Sequence, residues 1–137
     1  MTLSAADRLD ILDVITRADR AASARDADAY VRLFTEDAVL DGTQGRHAGR
    51  EALRAAVGSV WAAEGPSTLH LTLNPVVDVL DSDGSRAAVS SVLLIIDPAS
   101  PVTIRAAAAI TQVLHQRNGA WYIARRTVAP APGQAGS

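Results

Sequence analysis

Cysteine is absent from this sequence of 137 residues, and aromatic residues make up only 4% of it. Without cysteine the chain has no disulfides and no thiolate chemistry. Its 13 basic and 15 acidic residues are interspersed, so it lacks the concentrated basic face that binds nucleic acid. No run approaches the roughly 20 apolar residues of a membrane helix, and residues 1–10 carry early acids where a signal peptide has an apolar core. We therefore expect a cytoplasmic protein that contacts neither nucleic acid nor a membrane.

The residues that are present suit a globular domain with space inside it. Hydrophobic residues make up 48% and charged residues 20% of the chain, close to the globular average. Alanine is abundant, and small side chains leave room, so a cavity would be lined largely by aliphatic groups. Such a lining suits a small apolar molecule. We expect a single domain over residues 1–128 and a frayed tail, rich in Pro, Gly and Ala, over residues 129–137.

The first half of the chain has the periodicity of helices. An apolar stripe at helical spacing begins after Ser4, which with Asp7 resembles a capping box. Residues 42–49 form a polar loop between two of the predicted elements. These elements are helices over residues 4–24 and 50–63, a short helix capped by Asp26 or Asp28 with Tyr30, Leu33 and Phe34 on its apolar side, and a short strand over residues 38–41.

The second half changes to the alternation of strands. Residues 102–116 hold an alanine run that a helix would accept, but the β-branched residues around it favour a strand. Pro75 indicates a bulge or an edge in the first long strand, and Asn118-Gly119 is a strong hairpin signal. The predicted strands cover residues 68–80, 86–96, 102–116 and 121–128. Helices followed by hairpin-linked strands predict an α+β fold, in which N-terminal helices lie across a curved, largely antiparallel sheet.

Three stretches carry motifs of a known family. They are residues 25–41, which include Leu33-Phe34-Thr35-Glu36-Asp37-Ala38, residues 47–53, which include Gly49-Arg50-Glu51-Ala52, and residues 70–79. Together they resemble the nuclear-transport-factor-2-like superfamily, and within it the SnoaL-like group, over about residues 4–128. The resemblance implies a cone-shaped sheet wrapped around the helices, a deep pocket between them, and a homodimer formed through the outer face of the sheet. The superfamily includes isomerases, dehydratases, polyketide cyclases and proteins with no catalysis, so its fold does not fix the activity.

His70 is the strongest candidate for chemistry. It alternates with leucines along its predicted strand and so shares a face with Thr72 and Asn74. A neutral imidazole in a dry cavity can act as a general base or acid near pH 7. In SnoaL-like and scytalone dehydratase-like proteins, a histidine at the matching position points into the pocket. The alternative is a histidine that a backbone carbonyl satisfies or that lies at the dimer face.

A histidine of this kind usually works beside a carboxylate, and the sequence offers two. The resemblance places the tyrosine and aspartate of the dehydratase-like proteins at Ala18 and Ser23, and neither position matches. Asp19, one helical turn before Ser23, could substitute, or it could be a solvated acid on the outer helix face. Asp41 precedes Gly42, the position at which ketosteroid isomerase-like proteins keep their aspartate. Asp41 is therefore either a base in the pocket or a turn residue, since an offset of one residue reverses the face of a strand.

A further group of residues is predicted to bind a substrate. Arg105 can hold an acidic group of a ligand or form a salt bridge at a strand edge. The pattern of the epoxide hydrolase members is not met, because Ala107 stands where an aspartate would follow. Trp61 can line the pocket or pack in the core. The predicted substrate-binding residues are Tyr30, Trp61, Asn74, Arg105 and Gln112.

Two interpretations of function remain open. The first is a small-molecule isomerase, dehydratase or cyclase that moves a proton beside a carbonyl of an apolar ring, with His70 as base or acid and Asp41 or Asp19 as its partner. The second is a non-catalytic binding or dimerisation domain, because Ala18, Ser23 and Gly42 occupy three positions at which relatives are catalytic. The histidines lack metal-ligand spacing and no Gly-rich loop follows a strand, so we expect neither a metal nor a cofactor.

Overall fold

The structure is a computed structural model that describes residues 3–130. Its elements are α1 (Ala5–Ser23), α2 (Ala27–Val31), β1 (Phe34–Gly42), β2 (Gly45–Ala48), α3 (Arg50–Glu64), β3 (Leu69–Val79), β4 (Arg86–Asp97), β5 (Thr103–Arg117) and β6 (Ala120–Pro130). Within the described residues, no helix is both long and apolar enough to span a membrane. Of the tail predicted over residues 129–137, Ala129 and Pro130 belong to β6, and residues 131–137 lie outside the described part.

Side-chain caps account for where the first two helices begin. The Ser4 hydroxyl accepts a hydrogen bond from the backbone N–H of Asp7 at 3.0 Å, and the Asp26 carboxylate accepts one from the N–H of Ala29 at 3.0 Å. Each bond satisfies a donor that the first turn of a helix leaves unpaired. Of the two caps that the sequence offered for the short helix, Asp26 is therefore the one used.

The sheet has six strands in the order β2-β1-β6-β5-β4-β3. All neighbouring strands are antiparallel except β1 and β6, which are parallel. The predicted α+β class, with N-terminal helices on a curved mixed sheet, is confirmed. The alanine run is part of β5, which pairs along its length with β4 and β6. The bulge predicted at Pro75 is present, since the register of β3 shifts between Leu73 and Val76.

The prediction was wrong in the region from Phe34 to Gly49. Phe34 begins β1, where it pairs with Ile123 of β6, and does not lie on the second helix. The polar loop contains β2, which pairs with the end of β1 through a turn at Thr43 and Gln44. Phe34 pairs with a residue far along the chain, and β2 pairs with the adjacent end of β1, so neither follows from its own periodicity.

The Gly49-Arg50 motif joins α3 to the start of the sheet. The N–H of Gly49 donates to the carbonyl of Ala38 at 2.8 Å, and Gly49 has a φ of 88°, which favours glycine. The Arg50 guanidinium donates to the carbonyl of Phe34 from Nη2 at 2.6 Å and from Nε at 3.2 Å. This family motif therefore has a structural role, because it fixes α3 against β1.

The core lies between the helices and the inner face of the sheet. From α1, Ile11, Ile15, Ala18 and Ala22 are buried at helical spacing, and α1 packs on β3 and β6. From α3, Leu53, Val57 and Trp61 are buried. The space that these helices and the sheet leave unfilled is the cavity that contains the candidate site.

Candidate functional site

A cavity of about 480 Å³ lies between α3 and the inner face of the sheet and reaches the β1–β2 hairpin. Most of its lining is aliphatic, including Leu40, Val60, Leu93 and Ile95 and three consecutive alanines of β5, residues 106–108. The lining residues with polar groups are Tyr30, Thr43, Gln44, His47, Ser59, Trp61, Glu64, His70 and Arg126. The few polar groups in an apolar lining are the ones able to orient a ligand.

His70 lies on the inner face of β3, in the wall of this cavity. Its side chain is only 6% exposed, whereas the preceding Leu69 is 38% exposed on the opposite face. Its Nε2 lies 2.7 Å from Oε1 of Glu64, the last residue of α3. Its backbone N–H donates to the hydroxyl of Ser23 at 2.9 Å. The predicted pocket histidine therefore has a carboxylate within hydrogen-bonding distance, and that carboxylate belongs to Glu64.

Glu64 is held in place by residues of the loop and of the end of α1. The Thr68 hydroxyl donates to the same Oε1 at 3.0 Å, and Nη2 of Arg25 lies 3.9 Å from it. Arg25 in turn donates from Nη1 to the carbonyl of Ala22 at 2.8 Å and from Nη2 to the carbonyl of Gly65 at 2.6 Å and to the Thr68 hydroxyl. The carboxylate thus has a fixed position before any ligand arrives.

The charge state of Glu64 sets the tautomer of His70. Burial raises the pKa of Glu64, but hydrogen bonding and charge from His70, together with Thr68 and Arg25, outweigh it and hold the pKa below its ordinary value. An ionised carboxylate only accepts hydrogen bonds, so Nε2 of His70 must carry the proton that it donates. In the neutral form of His70, the lone pair of the imidazole is then on Nδ1, the nitrogen available as a base.

Asp19 does not pair with His70. Its two carboxylate oxygens both accept hydrogen bonds from Thr72 of β3, Oδ2 from the backbone N–H at 2.8 Å and Oδ1 from the hydroxyl at 3.0 Å. Asp19 therefore faces the sheet, so the alternative of a solvated acid on the outer helix face is wrong. Burial raises its pKa above the ordinary value, although the hydrogen bonds from Thr72 and the charge of Arg126 act in the other direction.

Asp41 lies on the outer face of β1, away from the cavity. Its Oδ2 is 2.9 Å from Nη2 of Arg125 on β6, and both side chains are more than a third exposed. The neighbouring Leu40 and Gly42 line the cavity. The one-residue offset from Gly42 has thus reversed the face, as strand geometry requires. The suggested pairing of Asp41 with His70 is not present.

The predicted substrate-binding residues divide into two groups. Tyr30 and Trp61 line the cavity and contact each other edge to face, with ring centroids 5.3 Å apart. Gln112 is fully buried and accepts a hydrogen bond from Arg126, so it reaches the cavity lining only through Arg126. Asn74 is exposed at the β3 bulge with a φ of 55°. Arg105 is exposed, and its Nη1 lies 3.8 Å from Oδ2 of Asp97. It therefore forms the strand-edge salt bridge that was the alternative to ligand binding.

Sequence reasoning missed two charged residues of the cavity, Glu64 and Arg126. Glu64 was interpreted only as part of a helix stop, although four residues separate it from Leu69 and the short loop returns the chain beside His70. Arg126 follows Arg125 on one strand, so one of the two must face inward. Among residues 3–130, no group of three or more His, Cys, Asp or Glu side chains could hold a metal ion.

Comparison with solved structures finds the same fold in several proteins. A protein of unknown function with a cystatin-like fold from Nostoc punctiforme has a TM-score of 0.84 and 22% identity over 97% of each chain. LinA has a TM-score of 0.77 and 17% identity over 93% of this chain and 91% of its own. A Catenulispora acidiphila protein in complex with S-DNPA has a TM-score of 0.78 and 20% identity over 91% of this chain and 93% of its own. Likeness at these identities shows the fold.

The family of this protein is shown by its sequence. A search of curated proteins found no match. The family model described as the SnoaL-like domain matches residues 4–127, which is nearly all of the described chain. This protein therefore belongs to the SnoaL-like domain family.

Proposed function

We propose that this protein is a small-molecule lyase or isomerase that transfers a proton on an apolar ring bound in the cavity. The observation that carries the proposal is the His70–Glu64 pair, a buried imidazole 2.7 Å from a fixed carboxylate in the wall of an apolar cavity. A base must already be positioned and kept from bulk water to act on a weakly acidic C–H bond. This pair meets both conditions.

In the proposed reaction, Nδ1 of His70 removes a proton from the carbon beside a substrate carbonyl. The electron pair of that C–H bond moves into the enolate, and the imidazolium that forms is stabilised by the negative charge of Glu64. Return of the proton to a different carbon completes an isomerisation, and its return to a leaving hydroxyl group completes a dehydration. A positioned base of this kind typically contributes about 10²–10⁴-fold to the rate.

Deuterium exchange tests the proposal without knowledge of the natural substrate. Incubation of the ring ketone α-tetralone with the protein in D2O should accelerate loss of the α-proton signal in the NMR spectrum. His70→Ala should reduce this acceleration by about 10²–10⁴-fold, and Glu64→Gln should reduce it less, because Nδ1 remains while its stabilising charge is lost. His115→Ala is the control, since that histidine lies on β5 and is not among the cavity-lining residues. Equal exchange by the wild type and His70→Ala would contradict the proposal.

The alternative is a non-catalytic domain that binds a small molecule. One observation favours it, because Ser23, at the family's aspartate position, is occupied in accepting the His70 backbone N–H, and Asp19 is occupied by Thr72. The cavity then has a single acid–base pair. Tight binding of an apolar ring ketone, with no exchange above the protein-free rate, would favour this alternative.

A further inference from the structure

Two adjacent arginines of β6 have opposite environments. Arg125 lies on the outer face, where it pairs with Asp41 and is 42% exposed. Arg126 points to the inner face, is 6% exposed and lines the cavity. Strand alternation explains the difference in direction. Alternation does not explain why the guanidinium of Arg126, which stays protonated in proteins, lies in the wall of an apolar cavity.

The charge of Arg126 has no partner in contact with it in the described chain. Its one hydrogen bond runs from Nη1 to Oε1 of Gln112 at 3.2 Å, and no carboxylate of residues 3–130 lies within 4.0 Å of its guanidinium. Asp19 is close enough for Arg126 to act on its pKa, but both of its oxygens are bonded to Thr72. A buried guanidinium with most of its five donors unused is expected to meet an anion.

The residues next to Arg126 do not neutralise its charge. Gln112 is completely buried and presents its oxygen to the guanidinium, while its own Nε2 has no partner among the described residues. Arg126 pairs across the sheet with Gln112 on one side and with Leu40 on the other. The charge of Arg126 also acts on the Tyr30 hydroxyl. Burial raises the pKa of Tyr30 above its ordinary value, so the phenol keeps its proton and remains a hydrogen-bond donor.

We infer that the cavity binds a carboxylate, carried on an apolar ring, through Arg126. A carboxylate matches the planar fork of a guanidinium and accepts two parallel hydrogen bonds from it. Tyr30, which also lines the cavity, supplies a further donor, and the aliphatic lining contacts the ring. The inference deepens the proposed function, since it rests on the same cavity and names the substrate class, but binding is measured separately from proton transfer.

Calorimetric titration with matched acids and amides tests the inference. The probes are naphthoate and cyclohexanecarboxylate, each compared with the uncharged carboxamide of the same ring. Wild-type protein should bind each acid at least about tenfold more tightly than its amide. Arg126→Gln should remove this preference, because glutamine keeps polar contacts but carries no charge. Arg125→Gln should keep it, as a control that removes an adjacent arginine from the outer face.

Two results would overturn the inference. One is wild-type protein that binds acid and amide equally or binds neither, and the other is a preference for the acid that persists in Arg126→Gln. If Arg126→Gln does not fold, as judged by circular dichroism, thermal unfolding of the wild type decides, because the acid should raise Tm more than the amide at equal concentration. His70→Ala should still prefer the acid, so loss of exchange with intact acid binding separates this inference from the proposed reaction.

Discussion

The pKa values of two carboxylates beside β3, Asp19 and Glu64, are shifted in opposite directions. Burial raises the pKa of both Asp19 and Glu64. For Asp19, whose hydrogen-bond donors all belong to the neutral Thr72, burial prevails and the pKa is raised. For Glu64, the hydrogen bond and charge of His70 and the nearby Arg25 outweigh burial, and the pKa is lowered. At the residue scale, the balance between burial and the hydrogen bonds and charges of the neighbours decides the direction of each shift.

The raised pKa of Asp19 predicts a pH-dependent penalty on stability. The folded state keeps the proton of Asp19 over a range in which the unfolded state has already lost it, so the free energy of unfolding falls as the pH rises from about 4 through that range. Asp19→Asn removes the titration. Urea unfolding between pH 4 and 7 should therefore show the variant becoming more stable relative to wild type as the pH rises.

Asp13→Asn is the matched control for this experiment. Asp13 lies on the same helix, but it is exposed and pairs with Arg17 in solvent. Its removal should change stability little, as for exposed ion pairs, with no comparable trend over the same pH range. Parallel stability profiles for wild type and Asp19→Asn would contradict the assignment.

At the scale of elements, the side chain of Arg25 joins the end of α1 to the loop between α3 and β3. It contacts the carbonyl of Ala22 at the end of α1, the carbonyl of Gly65 after α3, and Thr68 just before β3. Its backbone has a φ of 60°, a conformation that is uncommon outside glycine. The Glu64–His70 pair therefore depends on a residue that lies outside the cavity lining.

Arg25→Lys should destabilise the fold by about 2 kcal/mol, because one ammonium group cannot replace both ends of the guanidinium and leaves part-buried carbonyls unpaired. Lysine is chosen so that the backbone strain stays the same. Urea unfolding at neutral pH measures the loss, and Arg32→Lys, an exposed position at the end of α2, is the control. A difference between Arg25→Lys and wild type no larger than that of the control would contradict the joining role.

The sequence predicts the elements that are stabilised by their own periodicity. The helices α1 and α3 and the strands β3 to β6 follow from spacing, caps and turn residues, and their bounds agree with the structure to within a few residues. Phe34 and β2 could not be assigned in this way. Phe34 pairs with Ile123, a residue far along the chain that no local pattern indicates, and β2 is a four-residue segment whose strand conformation depends on its pairing with the end of β1.

The candidate site was predicted in part, for a similar reason. Alternation along β3 placed His70 on the inner face, and the structure agrees. The identity of its carboxylate depends on how a short loop folds back after α3, and the inward direction of Arg126 depends on the register of β6. A shift of one residue would exchange Arg126 with Arg125, and the sequence alone does not exclude that shift.

At the scale of the whole molecule, the outer face of the sheet carries apolar side chains on β3, β4 and β5. Leu69 of β3, Ile96 of β4 and Ile104 of β5 lie in one cross-strand row, and Leu73 pairs with Val92 in a nearby row. Leu73 is 39% exposed and Ile104 is 66% exposed. Apolar side chains grouped in this way typically mark a surface that another protein covers.

We propose that two copies of the chain pair through this face. Sedimentation equilibrium should give the mass of a dimer for the wild type, and Leu73→Asp should shift the equilibrium to the monomer, because the interface would bury an unpaired charge. Leu9→Asp is the control, since Leu9 is equally apolar and 67% exposed but lies on α1. A monomeric wild type would contradict the proposal.

The position of β6 in the sheet has a consequence for synthesis on the ribosome. This last strand lies between β1 and β5, so it completes the sheet from the middle and brings Arg126 into the cavity. Without β6, the β1–β2 hairpin and the β3–β5 meander would each have an open edge facing the other, and open edges can pair with other chains. We therefore expect the sheet to close only after β6 has left the ribosome, and the chain to be most prone to aggregation just before that point.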